Sequence, residues 1–170
     1  MWLGAAPTPV EIKDPAFQKL LHLITGYYHN RLKEEKDPIQ YLIRRNLKHG
    51  ELFEEHKVGY CSGDLLDKLS LKDTETIDKL KLLGILNDKG TERFYRCIVV
   101  PLYDLDGNIV QLYGRSITTD NGLKHTFLPL PLAGIFNPRA FIADEIFICE
   151  GIIDSLSLMS LGYKNITCVL

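Results

Sequence analysis

The chain has 170 residues, 45% hydrophobic and 25% charged, the balance of a soluble globular protein long enough for one medium domain or two small ones. A net charge of −2 excludes nucleic-acid binding through bulk positive charge, so any such surface has to be local. No apolar run approaches the roughly 18 residues that span a bilayer, and the four cysteines (Cys61, Cys97, Cys149 and Cys168) lie too far apart for zinc-ligand spacing.

Residues 1–13 read as an irregular arm. It has no basic start and reaches Pro7 too early for a secretory signal, which with reduced, buried thiols implies a cytoplasmic protein without a membrane partner. Asp14-Pro15 then signals a helix start, with Asp as cap and Pro at the first helical position. Phe17, Leu20, Leu21, Ile24, Tyr27, Tyr28 and Leu32 form its apolar stripe to about Glu34. Asp37-Pro38 repeats the signal, with Ile39, Leu42 and Ile43 as the buried face and Arg44 and Arg45 near the end, where cations complement the helix dipole. A short helix through Leu52 and Phe53 follows, and Gly59 suggests a turn. Gly63-Asp64 opens a helix carrying Leu65, Leu66 and Leu69, and Asp73 opens one carrying Ile77, Leu80, Leu82 and Leu83 before Gly84.

After Gly90 the pattern changes from helical to extended. Cys97–Leu102 reads as a strand, Asp106-Gly107 as a hairpin turn, and Ile109–Ile117 as the returning strand with Gly114-Arg115 on it. Thr118–Gly122 reads as a second polar turn, Lys124–Pro129 as extended, and Pro138–Ala143 as a short helix. Ile146–Cys149 reads as a buried, central strand, Ile152–Leu161 as a helix ending at Gly162, and Ile166–Leu170 as the start of another buried strand.

Glu150 therefore stands where a strand passes into a helix, with Gly151 next and Asp154 about one turn on. Open α/β sheets place ligands at that edge, and two carboxylates there suit a hard divalent cation. The ordinary structural alternative makes Glu150 a solvated strand end and Asp154 the helix cap.

Several separated segments resemble bacterial-type, DnaG-like DNA primase catalytic cores, including those of phages and mobile elements. Tyr41-Leu-Ile-Arg-Arg-Asn-Leu47 is similar to the family's Tyr-Leu-x-x-Arg-Gly-Leu, and Lys57-Val-Gly-Tyr60 to the Ile-Gly-Tyr/Phe that follows it. Arg93-Phe-Tyr-Arg-Cys-Ile-Val-Val-Pro101, Asp106-Gly107, Gly114-Arg115 and Lys124-His-Thr-Phe-Leu-Pro129 resemble the next family segments in order. Glu150-Gly-Ile-Ile-Asp154 resembles the Glu-Gly-x-x-Asp motif of the topoisomerase–primase (TOPRIM) domain.

The resemblance implies an α+β/α/β chain: a mostly helical primase-core N-terminal subdomain (14–140), then an incomplete TOPRIM-like α/β domain (141–170). It implies a nucleotidyltransferase that makes RNA primers on a DNA template for replication. Single-stranded DNA and ribonucleotides would be its ligands and a replicative helicase a partner. Arg45, Arg115 and Lys124 fall at basic positions that handle template or nucleotide; Glu150 falls at the catalytic position and, with Asp154, on the Mg2+ site. Departures are His125 for the family's Tyr, Phe127 for its Asn, and a shorter stretch between Lys124 and Ile146 in which a basic residue usual in the family has no clear counterpart. No zinc-binding domain is expected from the residues given, and the resemblance places the Asp-x-Asp pair of the metal site beyond Leu170, so this chain alone is expected to be inactive. Two other readings stay open: another TOPRIM phosphotransferase such as a nuclease or topoisomerase, or a degenerate module that binds single-stranded DNA or docks a partner.

Overall fold

Asp14 and Pro15 open the first helix as their order implies. The Asp14 carboxylate accepts the Ala16 N–H at 2.7 Å, and Pro15 sits at the first helical position, where its missing N–H costs nothing. The computed structural model describes residues 11–48, 50–118 and 124–169, and α1 spans Pro15–Glu34. Leu20, Leu21, Ile24, Tyr28 and Leu32 are its buried stripe, with Phe17 and Tyr27 half-buried.

Glu35 alone separates α1 from α2 (Lys36–Arg44). Asp37 thus lies in the first turn instead of capping it, and Pro38 is tolerated because the first four N–H groups of a helix have no helical partner. Leu42 is fully buried, but Ile43, expected inside, is 45% exposed. So short a helix buries only a narrow line, here Pro38 and Leu42, and Ile43 falls beside it.

The next helix, α3, spans Gly50–Glu55, and the reversal after it is made by Lys57 at φ 49. Gly59, expected at that turn, instead belongs to strand β1 (Gly59–Tyr60). The reason for glycine is space: a Cβ there would lie 2.7 Å from the Tyr28 carbonyl carbon and 2.8 Å from the His29 nitrogen. Because those atoms are helix backbone, they cannot step aside. Gly59→Ala is therefore expected to lower stability by about 2–3 kcal/mol, as overpacking does. Thermal unfolding by circular dichroism would show a Tm drop of roughly 5–10 °C for a chain of this size, and a change under 2 °C would refute the close approach.

Helix α4 is one turn (Leu65–Lys68), and α5 (Thr74–Leu83) is capped by Asp73, whose carboxylate accepts the Thr76 N–H at 2.7 Å. Gly84 ends α5 with φ 75, as its sequence position implies, while Leu82 stays 56% exposed.

Strands β2 (Cys97–Tyr103), β3 (Ile109–Ser116) and β4 (His125–Phe127) join β1 in an antiparallel sheet ordered β1-β2-β3-β4. Gly107 makes the β2–β3 turn at φ 87; the second expected turn falls largely on residues 119–123, outside the described residues. Alternation along β2 supplies two cores. Cys97 and Val99 face Leu21, Ile24 and Tyr28 of α1 and Leu80 and Leu83 of α5, while Ile98, Val100 and Leu102 face Leu42, Phe53 and Phe136. On β3, Leu112 belongs to the first core and Tyr113 to the second, and Gly114 lies against Phe94 of the first. Arg115 consequently points to the second side, where α2 lies.

A 3-10 helix (Pro138–Ile142) leads to β5 (Phe147–Cys149), α6 (Ile152–Met159) and β6 (Ile166–Cys168), with β5 and β6 parallel. Ile152, Ile153 and Leu156 of α6 enter the second core. The strand expected to be buried and central is neither among the described residues: it pairs with β6 alone, and Phe147 and Ile148 are 43% and 68% exposed. One helix covers one face of a two-stranded sheet, which leaves the other face open. Leu161 also lies beyond the helix end, 74% exposed, with Gly162 at φ 100. The result is a mixed α/β fold.

Candidate nucleic-acid interface

Strand alternation places Arg115 and Tyr113 on one face of β3, and the β3–β4 register sets His125 opposite Arg115 and Phe127 opposite Tyr113. Helix α2 crosses this face through Tyr41, which packs on the second core. The Arg115 Nε donates to the Tyr41 hydroxyl at 3.3 Å, and its Nη1 donates to His125 Nε2 at 2.7 Å. Arg45, just past the end of α2, lies over the Tyr41 ring with its guanidinium carbon 5.0 Å from the centroid. Two arginines 70 positions apart in sequence are thus held by the two ends of one tyrosine side chain. Lys124, exposed, stands next to His125.

Arginine has only donors, so the 2.7 Å contact makes His125 Nε2 an acceptor. The imidazole is then neutral with its proton on Nδ1, which donates to the Tyr113 oxygen at 3.0 Å. Partial burial, then Arg115 and Lys124, hold His125 below the usual imidazole pKa. Burial pushes the Tyr113 hydroxyl up to about 12 against the downward pull of Arg115; Tyr41 and Cys168 add smaller upward pushes. Tyr60, 7% exposed, packs within the second core.

The carboxylates lie at the other motif. Glu150 follows β5, Gly151 occupies the cap position of α6, and Asp154 stands in the first turn of that helix; both acids are exposed. The cap is therefore Gly151 and not Asp154, which is freed from that structural duty. A Cβ on Gly151 would meet only the Asp154 carboxylate, at 3.5 Å. Glu150 and Asp154 offer oxygen donors of the type a hard cation takes. Among the described residues no group of three or more His, Cys, Asp or Glu side chains converges into a metal-holding cluster.

Two of the four cysteines, Cys61 and Cys97, are buried, while Cys149 and Cys168 are half-buried and pair in register across β5 and β6. Sequence reasoning missed Glu92, whose buried carboxyl group joins α1 to the start of α4, and the bridging role of Tyr41. For Tyr41 the usable signal was its spacing from Arg45, one helical turn; for Glu92 there was none.

Residues 27–130 match the family described as DNA primase catalytic core, N-terminal domain. The DNA primase of Aquifex aeolicus is 26% identical over 169 residues, covering 91% of this chain and 34% of the relative. That of Campylobacter jejuni is 24% identical over 172 residues, covering 90% and 28%. This chain thus spans no more than 34% of either relative's length. Among solved structures, a DnaG primase catalytic domain bound to ssDNA superposes with a TM-score of 0.76 at 21% identity, over 90% of this chain and 55% of that one. A DNA primase domain from Pseudomonas aeruginosa gives 0.76 at 24% identity, over 90% and 53%. The fold is one that resembles DnaG primase catalytic cores.

Proposed function

Because the chain belongs to the DNA primase catalytic core N-terminal domain family, we propose that it is part of a primase that makes RNA primers on single-stranded DNA. The observation that carries this reading is the gathering of Arg45 and Arg115 around Tyr41, beside Lys124. Such a cluster neutralises successive phosphates, and the arginine forks grip paired oxygens. Template DNA is the ligand of this face, with ribonucleotides arriving near the strand-end carboxylates and a replicative helicase as the partner in the cell, a cytoplasmic setting. Among the described residues no helix is long and apolar enough to cross a membrane.

Residues 14–140 form the primase-core subdomain and 141–170 the first part of a TOPRIM domain. Glu150 and Asp154 are its share of a Mg2+ site, in which the ion supplies charge neutralisation for phosphoryl transfer. Two carboxylates hold Mg2+ weakly by themselves, which is why further acidic residues are needed for activity.

Glu150→Gln separates the two roles. In this chain the change should leave affinity for an oligo-dT probe equal or slightly higher, since it removes one negative charge from a protein that binds a polyanion. In a chain extended at its C-terminus to supply further carboxylates, it should lower templated ribonucleotide incorporation about 100-fold or more, the scale of losing a metal's charge stabilisation. Normal incorporation by the extended variant would remove Glu150 from the mechanism; an extended wild-type chain that cleaves DNA and makes no ribonucleotide product would overturn the primase reading.

A further inference from the structure

We infer that His125 is a proton-sensitive positioning residue of the DNA-binding face, holding Arg115 folded back when neutral and joining it in gripping phosphate when protonated. The inference rests on the reading of that face as a DNA site and adds a residue type that the related sequence pattern does not carry, since tyrosine stands there in the resemblance.

The geometry is specific. Arg115 is clasped on two sides, by Tyr41 at 3.3 Å and by His125 at 2.7 Å, so at neutral pH its guanidinium spends two donor directions on the protein. Among the described residues the titratable and charged groups around the imidazole are Tyr113 and Arg115 of β3, Lys124 next to it in the chain, and Tyr41 of α2 with Arg45 stacked on it. None of these is an acid that would compensate a second cation. Protonated His125 cannot accept from Arg115, because both ring nitrogens become donors. The contact breaks, and an imidazolium is left between Arg115 and Lys124. A backbone phosphate placed there relieves the repulsion and takes hydrogen bonds from both the released guanidinium and the imidazolium.

The sign follows directly. DNA binds the protonated form more tightly, so binding takes up a proton and affinity rises as pH falls through the imidazole range. A rise of about one unit in the His125 pKa on binding corresponds to tenfold in affinity. Tyrosine at this position carries no such charge, and glutamine retains an acceptor for Arg115 without titrating.

The experiment has two independent arms, both on this chain. In the first, oligo-dT affinity is measured by fluorescence anisotropy at pH 5.5 and 7.5 at fixed ionic strength. Wild type should bind roughly three- to tenfold tighter at the lower pH, while His125→Gln and His125→Tyr change less than twofold. His22, His29, His49 and His56 are common to all three proteins, so the difference isolates His125. Equal pH profiles in wild type and variants would overturn the inference. In the second arm, the imidazole C2 proton of His125 is titrated by NMR without DNA, in wild type and in Arg115→Met. Removing Arg115 should raise the His125 pKa, and an unmoved pKa would show that the two side chains are uncoupled. If the titration behaves as expected but no protein binds oligo-dT at either pH, the DNA reading of this face fails while the coupling stands.

Discussion

Glu92→Ala is expected to cost the fold about 3–5 kcal/mol, because three buried donors lose their acceptor at once. The Tyr28 hydroxyl donates to Glu92 Oε2 at 2.7 Å and the Cys61 thiol to the same oxygen at 3.0 Å, while the Leu65 N–H donates to Oε1 at 2.8 Å. One carboxyl group therefore fastens α1, the end of β1 and the first turn of α4. Burial, before any neighbouring group, keeps the Tyr28 hydroxyl and the Cys61 thiol well above their usual pKa values, so both remain donors across the neutral range. Glu92→Gln should recover most of the loss: its amide oxygen can still accept from Leu65, and its amide nitrogen can donate to the Tyr28 oxygen. Urea unfolding followed by fluorescence would measure both variants. An alanine variant within about 1 kcal/mol of wild type would mean that the three donors find other partners.

Arg115→Ala is expected to weaken binding of single-stranded DNA about 10- to 100-fold, from the loss of about 1.5–3 kcal/mol of charge-assisted hydrogen bonding. It should also lower the slope of log affinity against log salt by about 0.7, one phosphate contact on a single strand. Arg45→Ala and Lys124→Ala should act in the same direction but less, because Arg45 contacts Tyr41 through its ring alone and Lys124 is an exposed, freely solvated ammonium. Anisotropy titrations at three or four salt concentrations give affinity and slope together. An Arg115→Ala protein that binds within twofold of wild type would move the DNA path to another face. Arg115 is only half-buried, so the variant should keep its cooperative unfolding, and that check separates lost binding from lost fold.

Local chemistry was legible in the sequence wherever a few adjacent residues decide the outcome. Asp14-Pro15, Asp73 and Gly84 start and stop their helices as their types require, and Asp106-Gly107 turns the hairpin. The apolar runs at Cys97–Tyr103 and Ile109–Ser116 are strands. The order of short motifs was also enough to point to the primase core family, since several weak signals in one sequence order are jointly specific. Arg45, Arg115 and Lys124 were named from that order alone.

What the sequence could not supply were quantities set by neighbours distant along the chain. Gly59 reads as a turn because glycine favours turns, yet here it is glycine because the backbone of α1 passes within contact distance of its α-carbon. Ile43 and Ile148 read as buried because they are apolar, yet burial depends on whether another element arrives to cover them, and among the described residues none does. Glu92 reads as one more surface acid until α1 and α4 bring three donors to it. The union of Arg45 with Arg115 belongs to the same class: α2 and β3 are far apart in sequence, and only their packing on a shared core puts both arginines on Tyr41. Turns and caps are decided by backbone dihedrals and hydrogen bonds within a few residues, so sequence determines them; burial, close approach and the meeting of charges depend on packing between elements, so only the tertiary structure decides them.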